Sequence, residues 1–111
     1  MNTLLMRESG TYFALSGDPA HLSETEYWYR KHMQDWGQQP GGLYAADEFI
    51  RPGKTDPKQG CETCSMVELN KSNYILGKIT GQTCYADRCE TVQLNSYPAS
   101  PQPGSRKGQV R

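Results

Sequence analysis

Four acids and two thiols fall in one stretch of this chain. It runs Gly41-Gly42-Leu43-Tyr44-Ala45-Ala46-Asp47-Glu48, then Arg51-Pro52-Gly53-Lys54-Thr55-Asp56-Pro57, then Gly60-Cys61-Glu62-Thr63-Cys64. Glu62 and Cys64 stand where a glycine- and proline-rich segment gives way to a helical pattern. Exposed N–H groups and the macrodipole at a helix start favour anions, which predicts a depressed thiol pKa and a better ligand or nucleophile. A carboxylate and a thiolate from one turn supply half of a tetrahedral zinc set. The plainer alternative is that Glu62 caps the helix and Cys64 is a small buried apolar residue. Glu48 is the second candidate. Leu43, Tyr44, Phe49 and Ile50 flank it, and partial desolvation would raise its carboxyl pKa toward the general-acid range. Its alternative is an exposed loop acid, and Asp47 is a weaker version of the same case.

The remaining reactive side chains offer less. Cys61-x-x-Cys64 and Cys84-x4-Cys89 could form a four-thiol zinc module, since 19 intervening residues separate the pairs and such spacing is common. Against this, Tyr85-Ala86-Asp87-Arg88 between the second pair reads as helix rather than as a glycine-containing knuckle. His21 and His32 are eleven residues apart and form no ligand pair; they read as surface residues. Tyr27-Trp28-Tyr29 reads as two core aromatics and one exposed, rather than a stacking platform. No phosphate-binding glycine loop and no Gly-x-Ser-x-Gly elbow occurs.

Helices must position these groups. A loose helical pattern (Leu4, Leu5, Tyr12, Phe13, Leu15) stops at Ser16-Gly17. Asp18-Pro19 supplies a cap and a first-turn proline. A second helix then reaches about Trp36, with Leu22, Glu26, Tyr29, Met33 and Trp36 along one face. Residues 37–60 read as loop, with Leu43 to Ile50 a short ordered island. A third helix is predicted from Glu62 to Thr80, with Met66, Leu69, Tyr74, Leu76 and Ile79 available for burial. A fourth runs from Cys84 to about Ser96, with Tyr85, Cys89, Val92 and Ser96 on one stripe and Pro98 closing it. Leu15-Ser16-Gly17-Asp18 recurs as Ile79-Thr80-Gly81-Gln82, which predicts two αα-hairpins stacked side by side. The fold class expected is all-α. The tail, residues 99–111, is expected to be disordered.

Composition bounds the rest. The chain has 111 residues, 12 cationic and 12 acidic, and 35% hydrophobic residues. That apolar content is low for a chain this short to close a core alone, so it reads as a slice of a larger body. The neutral balance argues against duplex DNA or an anionic membrane as partner. No apolar run approaches the ~18–20 residues of a membrane span, and Arg7 and Glu8 interrupt the only apolar opening a signal peptide could use. Four cysteines are too few and too clustered for a secreted disulfide scaffold, which leaves the compartment open.

The 41–64 stretch resembles the beta-L-arabinofuranosidase-like family, glycoside hydrolase family 127. The carrying motifs are Gly41 to Glu48, Arg51-Pro52-Gly53, Thr55 to Gly60 and Glu62-Thr63-Cys64. Ile79-Thr80-Gly81, Tyr85-Ala86-Asp87-Arg88-Cys89-Glu90, Leu94-Asn95-Ser96 and Pro98-Ala99 continue it in register, over roughly Gly10 to Ser100. The resemblance implies helical hairpins forming part of an (α/α)6 barrel, a retaining glycosidase and a carbohydrate substrate. It also implies zinc as cofactor, a zinc-bound cysteine nucleophile and a glutamate acid/base. Residue by residue, Glu48 matches the acid/base, and Glu62 and Cys64 match two zinc ligands. The other two ligands in the family are an adjacent Cys-Cys pair, one of them the nucleophile. This sequence has no such pair, and Cys84 and Cys89 do not fill that role.

Two smaller departures accompany it: Cys61 stands where a small residue is usual, and Phe49 where a polar one often follows the acid. The expectation is a partial catalytic domain over 1–98, with the rest of the domain missing and the isolated chain inactive. Its rivals are the four-cysteine zinc module and a truncated, partly folded product.

Overall fold

The structure, a computed structural model, describes residues 6–38, 42–44 and 62–99. Helix α1 (Glu8–Ser16) and helix α2 (Ala20–Trp36) form one antiparallel hairpin; α3 (Thr63–Thr80) and α4 (Thr83–Thr91) form a second. The chain continues from α4 through a π-helical turn (Val92–Ser96) into a short α5 (Tyr97–Ala99). Between the hairpins, β1 (Gly37–Gln38) pairs antiparallel with β2 (Leu43–Tyr44), Gly37 opposite Tyr44. The described part is all-α apart from this two-residue pairing.

The two hairpin turns are the same device written twice. Gly17 and Gly81 both take left-handed backbone, φ 70° and φ 68°, which glycine adopts without a Cβ penalty. Each donates its N–H to the carbonyl four residues back, Phe13 and Gly77, at 2.8 Å. The preceding hydroxyl then accepts from the residue after the glycine: Asp18 N–H to Ser16 Oγ and Gln82 N–H to Thr80 Oγ1, both 3.2 Å. Asp18 also accepts the Ala20 N–H at Oδ1, 2.9 Å. The expected cap with proline in the first turn is therefore present.

The hairpins meet along α1–α3 and α2–α4. Gly10 is buried where a Cβ would run into the Leu76 side chain, so α1 lies close on α3. Arg7 reinforces this by donating to Glu68 Oε2 at 2.9 Å and Ser72 Oγ at 3.3 Å. Met6, Leu43, Met66, Leu69 and Val92 form the core, with Tyr29, Met33 and Trp36 packed against it. Among the described residues, Leu43 is the only member of that cluster from the 37–60 region. It places β2 at the same core that Met66, two residues past Cys64, enters from α3.

Three expectations need correction. Tyr74 is exposed rather than buried, because the inward face of α3 is shared with Ser65, Ser72 and Asn73. Pro98 does not stop the helix: it sits inside α5, after a π turn in which Tyr97 N–H reaches back five residues to Val92 O. A proline ring crowds the preceding turn of a regular α-helix, and a widened turn directly before it relieves that crowding. Tyr27 and Trp28 are exposed and Tyr29 half-buried, the reverse of two core aromatics. Glu48, Asp47, Cys61 and the tail beyond residue 99 lie outside the described residues.

Candidate active site

Helix α3 opens at Glu62, whose backbone is extended (φ −68°, ψ 139°) and whose carbonyl accepts the first helical N–H groups, from Ser65 at 3.0 Å and Met66 at 3.4 Å. Its side chain makes no capping bond to the backbone. Instead Glu62 Oε2 accepts a hydrogen bond from Cys64 Sγ at 2.9 Å. Cys64 is exposed and Glu62 half-buried, so the plainer alternative holds in part: Glu62 does take the N-cap position, through its backbone rather than its side chain, but the sulfur is not in the core. Two candidate donor atoms converge at the helix start.

The thiol's electrostatics depart from expectation. The carboxylate of Glu62, by accepting the S–H hydrogen bond, pushes the Cys64 pKa up, with partial burial adding to it. The backbone N–H groups of Cys64 and Ser65 act in the opposite direction and are outweighed. A negative neighbour at hydrogen-bond distance prevails over the helix start. On either side of Cys64, the Thr63 and Ser65 hydroxyl oxygens are buried without a hydrogen-bond partner, as is Trp36 Nε1. Orphaned polar groups of this kind are uncommon in a finished interior.

The other thiols go elsewhere. Cys89 Sγ donates to the Asn70 carbonyl on α3 at 3.4 Å, and burial raises its pKa. Cys84 Sγ reaches Gln82 Oε1 at 3.7 Å. Among the described residues, no three His, Cys, Asp or Glu side chains gather as a metal site. The three described cysteines therefore do not converge on one ion, because α4 holds two of them in separate contacts of their own. The histidines are also reassigned. Both are half-buried, His21 edge-on to Tyr12 (4.8 Å between centroids) and His32 between Trp28 and Trp36.

A second polar centre, absent from the sequence reading, locks α2 to α4. Arg88 forms a two-pronged bond with Glu26, Nη1 to Oε1 at 2.9 Å and Nη2 to Oε2 at 2.8 Å. Its guanidinium also lies 3.7 Å from the Tyr29 ring centre. Arg88 holds the Glu26 carboxyl below its usual pKa, and burial beside Glu26 pushes the Tyr85 phenol well above its own. Arg88 and Tyr85 belong to the Tyr85–Glu90 motif, so part of that motif's role is structural. The one available signal was Glu26, an acid on an otherwise apolar helix face.

The glycine motif and the α4 motif also touch. Gly42 has φ 64°, and a Cβ there would meet Thr91 Cγ2 at 2.6 Å. Gly42 therefore sits directly against Thr91 at the end of α4. Leu43 enters the core alongside Met66, and Glu48 follows five residues later in sequence. Both flanks of the 45–61 segment are thus anchored at one core, the second of them through α3, which carries Cys64 and Met66.

Residues 4–109 match the family model for the beta-L-arabinofuranosidase, GH127 catalytic domain, a span wider than the motifs alone suggested. No match exists among curated proteins or among solved structures.

Proposed function

Because the chain belongs to glycoside hydrolase family 127, a family whose substrates are carbohydrates, we propose that it carries the proton-transferring acid and two zinc ligands of a retaining glycosidase acting on β-L-arabinofuranosides or related glycosides. The observation that carries this reading is the 2.9 Å approach of Cys64 Sγ to Glu62 Oε2 at the exposed start of α3. Sulfur and carboxylate oxygen are donors zinc accepts, and both are presented at one point. The unpartnered Thr63 and Ser65 hydroxyls beside them support a site completed by further groups.

Glu48 is the acid/base in this reading. It first protonates the departing glycosidic oxygen and later takes a proton from the attacking water, as a retaining mechanism requires. Glu62 and Cys64 hold the metal; zinc, when bound, lowers the pKa of a coordinated thiol and orients it. The nucleophilic cysteine belongs to an adjacent Cys-Cys pair that this sequence lacks. The two αα-hairpins are consecutive units of an (α/α)6 barrel. Among the described residues, no helix is long and apolar enough to cross a membrane.

The test is hydrolysis of 4-nitrophenyl β-L-arabinofuranoside with zinc present. The chain alone is expected to release no nitrophenol. A longer polypeptide joining it to a family Cys-Cys segment is expected to do so, and to lose that activity on Glu48→Gln. Turnover by the chain alone, or activity surviving Glu48→Gln, would overturn the assignment.

A further inference from the structure

We propose that a cavity between α1 and α2, on residues separate from Glu48, Glu62 and Cys64, is a second carbohydrate-binding site for a single sugar ring. The cavity measures about 260 Å³, just below the ~300–1,000 Å³ range of drug-sized ligand pockets, which suits one ring better than an oligomer. Buried Met6 and Thr25 line it, with Glu24, Trp28 and His32 at four-residue spacing along one face of α2 and Glu8 and Ser9 from the α1 side.

The lining has the division a sugar needs. Trp28 is 44% exposed, and His32 stands next to it at 6.1 Å with the planes tilted by 54°. His32 Nδ1 donates to the Trp28 carbonyl at 2.6 Å, which fixes the imidazole relative to the indole. The two rings make an open apolar corner against which the C–H face of a pyranose or furanose can pack. One turn before Trp28 on α2, Glu24 Oε2 accepts a hydrogen bond from Ser9 Oγ at 2.9 Å. This holds the carboxylate in place across the α1–α2 seam and leaves Oε1 to accept a sugar hydroxyl in a charge-assisted bond. The Thr25 hydroxyl is already engaged with the His21 carbonyl at 3.1 Å, so it adds shape rather than a competing donor. Among the described residues, no lysine or arginine lines the cavity; the neighbouring Arg7 is turned away to Glu68.

The choice of a neutral sugar over an organic cation rests on the glycosidase reading above. The test therefore includes both ligands and does not use catalysis. The full chain, labelled with ¹⁵N, is titrated with L-arabinose and separately with methylammonium while the two tryptophan indole N–H signals are followed. The expected result is a saturable shift of the Trp28 signal with L-arabinose, little movement of Trp36, and at least about tenfold weaker binding in Glu24→Gln, in line with the loss of one hydrogen bond to a charged group. Trp28→Leu, checked by circular dichroism for an unchanged fold and followed by the backbone amide signals of the cavity residues, is expected to abolish binding. Glu62→Gln and Cys64→Ser are expected to bind the sugar unchanged, so failure of the zinc reading alone leaves this result standing. Absence of a saturable shift, retention of sugar binding in Trp28→Leu, or saturation by methylammonium in place of L-arabinose would overturn the proposal.

Discussion

Arg88 of α4 grips Glu26 of α2 with both arms of its guanidinium, at 2.8 and 2.9 Å, across 62 residues of sequence. The contact fastens the two hairpins to each other. It therefore helps fix α3, and with it Glu62 and Cys64, relative to the first hairpin. Replacing Arg88 by Met keeps the stem that lies along Tyr29 and removes the charge. That should leave a half-buried carboxylate without its partner and cost about 1–3 kcal/mol, below the ~3–5 kcal/mol of a fully buried pair. Urea denaturation of the single and double variants with Glu26→Gln would measure it: the double should be less destabilised than the sum of the singles.

The same contact makes stability depend on acid. Arg88 depresses the Glu26 pKa in the folded chain, so its stabilising contribution is complete above the unfolded carboxyl value of ~4.3. It fades as pH falls through the lower folded value, where protonation removes the partner charge. Thermal melts from pH 6 down to pH 3 should show a steeper loss for the native chain than for Glu26→Gln. Parallel curves would contradict the assignment.

Gly42 tests how the glycine motif works. Alanine there meets two separate costs, a left-handed backbone and a Cβ 2.6 Å from Thr91 Cγ2. Gly42→Ala should destabilise by about 1–3 kcal/mol. Adding Thr91→Ser removes the methyl group and should recover the steric part only. Full recovery would show that the backbone conformation carries no cost.

The core cluster sets a scale for these effects. Leu69 is fully buried among Met6, Leu43, Met66 and Val92, so Leu69→Ala should cost ~2–5 kcal/mol. Leu15 is 83% exposed, and Leu15→Ala should stay within ~0.5 kcal/mol. Equal midpoint shifts in urea for the two would mean that the chain lacks a specific core.

What could be read from sequence was local. The Ser16-Gly17-Asp18 and Thr80-Gly81-Gln82 turns, the Asp18-Pro19 helix start and the pairing of helices into hairpins each depend on residues within a few positions. The Glu62–Cys64 approach was legible for the same reason, as a two-residue spacing at a helix start. The sign of the thiol's pKa shift was not, because it depends on which of two opposed influences lies closer to the sulfur. The family resemblance, in turn, rested on motif identity rather than on spacing.

Long-range relationships were invisible to periodicity. Glu26 sat on the predicted inward face of α2, but nothing local named Arg88 as its partner. Tyr27-Trp28-Tyr29 read as two core aromatics and one exposed, whereas Trp28 lines an open cavity beside Glu24. Pro98 read as a stop because regular helix geometry excludes it, and the π turn before it changes that geometry.

The most direct test of the account is zinc binding by the full chain, measured by competition with a chromogenic chelator for the native sequence and for Glu62→Gln, Cys64→Ser, Cys84→Ser and Cys89→Ser. The account predicts weak binding that is lost in the first two variants and unchanged in the last two. Equal loss in all three cysteine variants, or binding indifferent to Glu62 and Cys64, would contradict it.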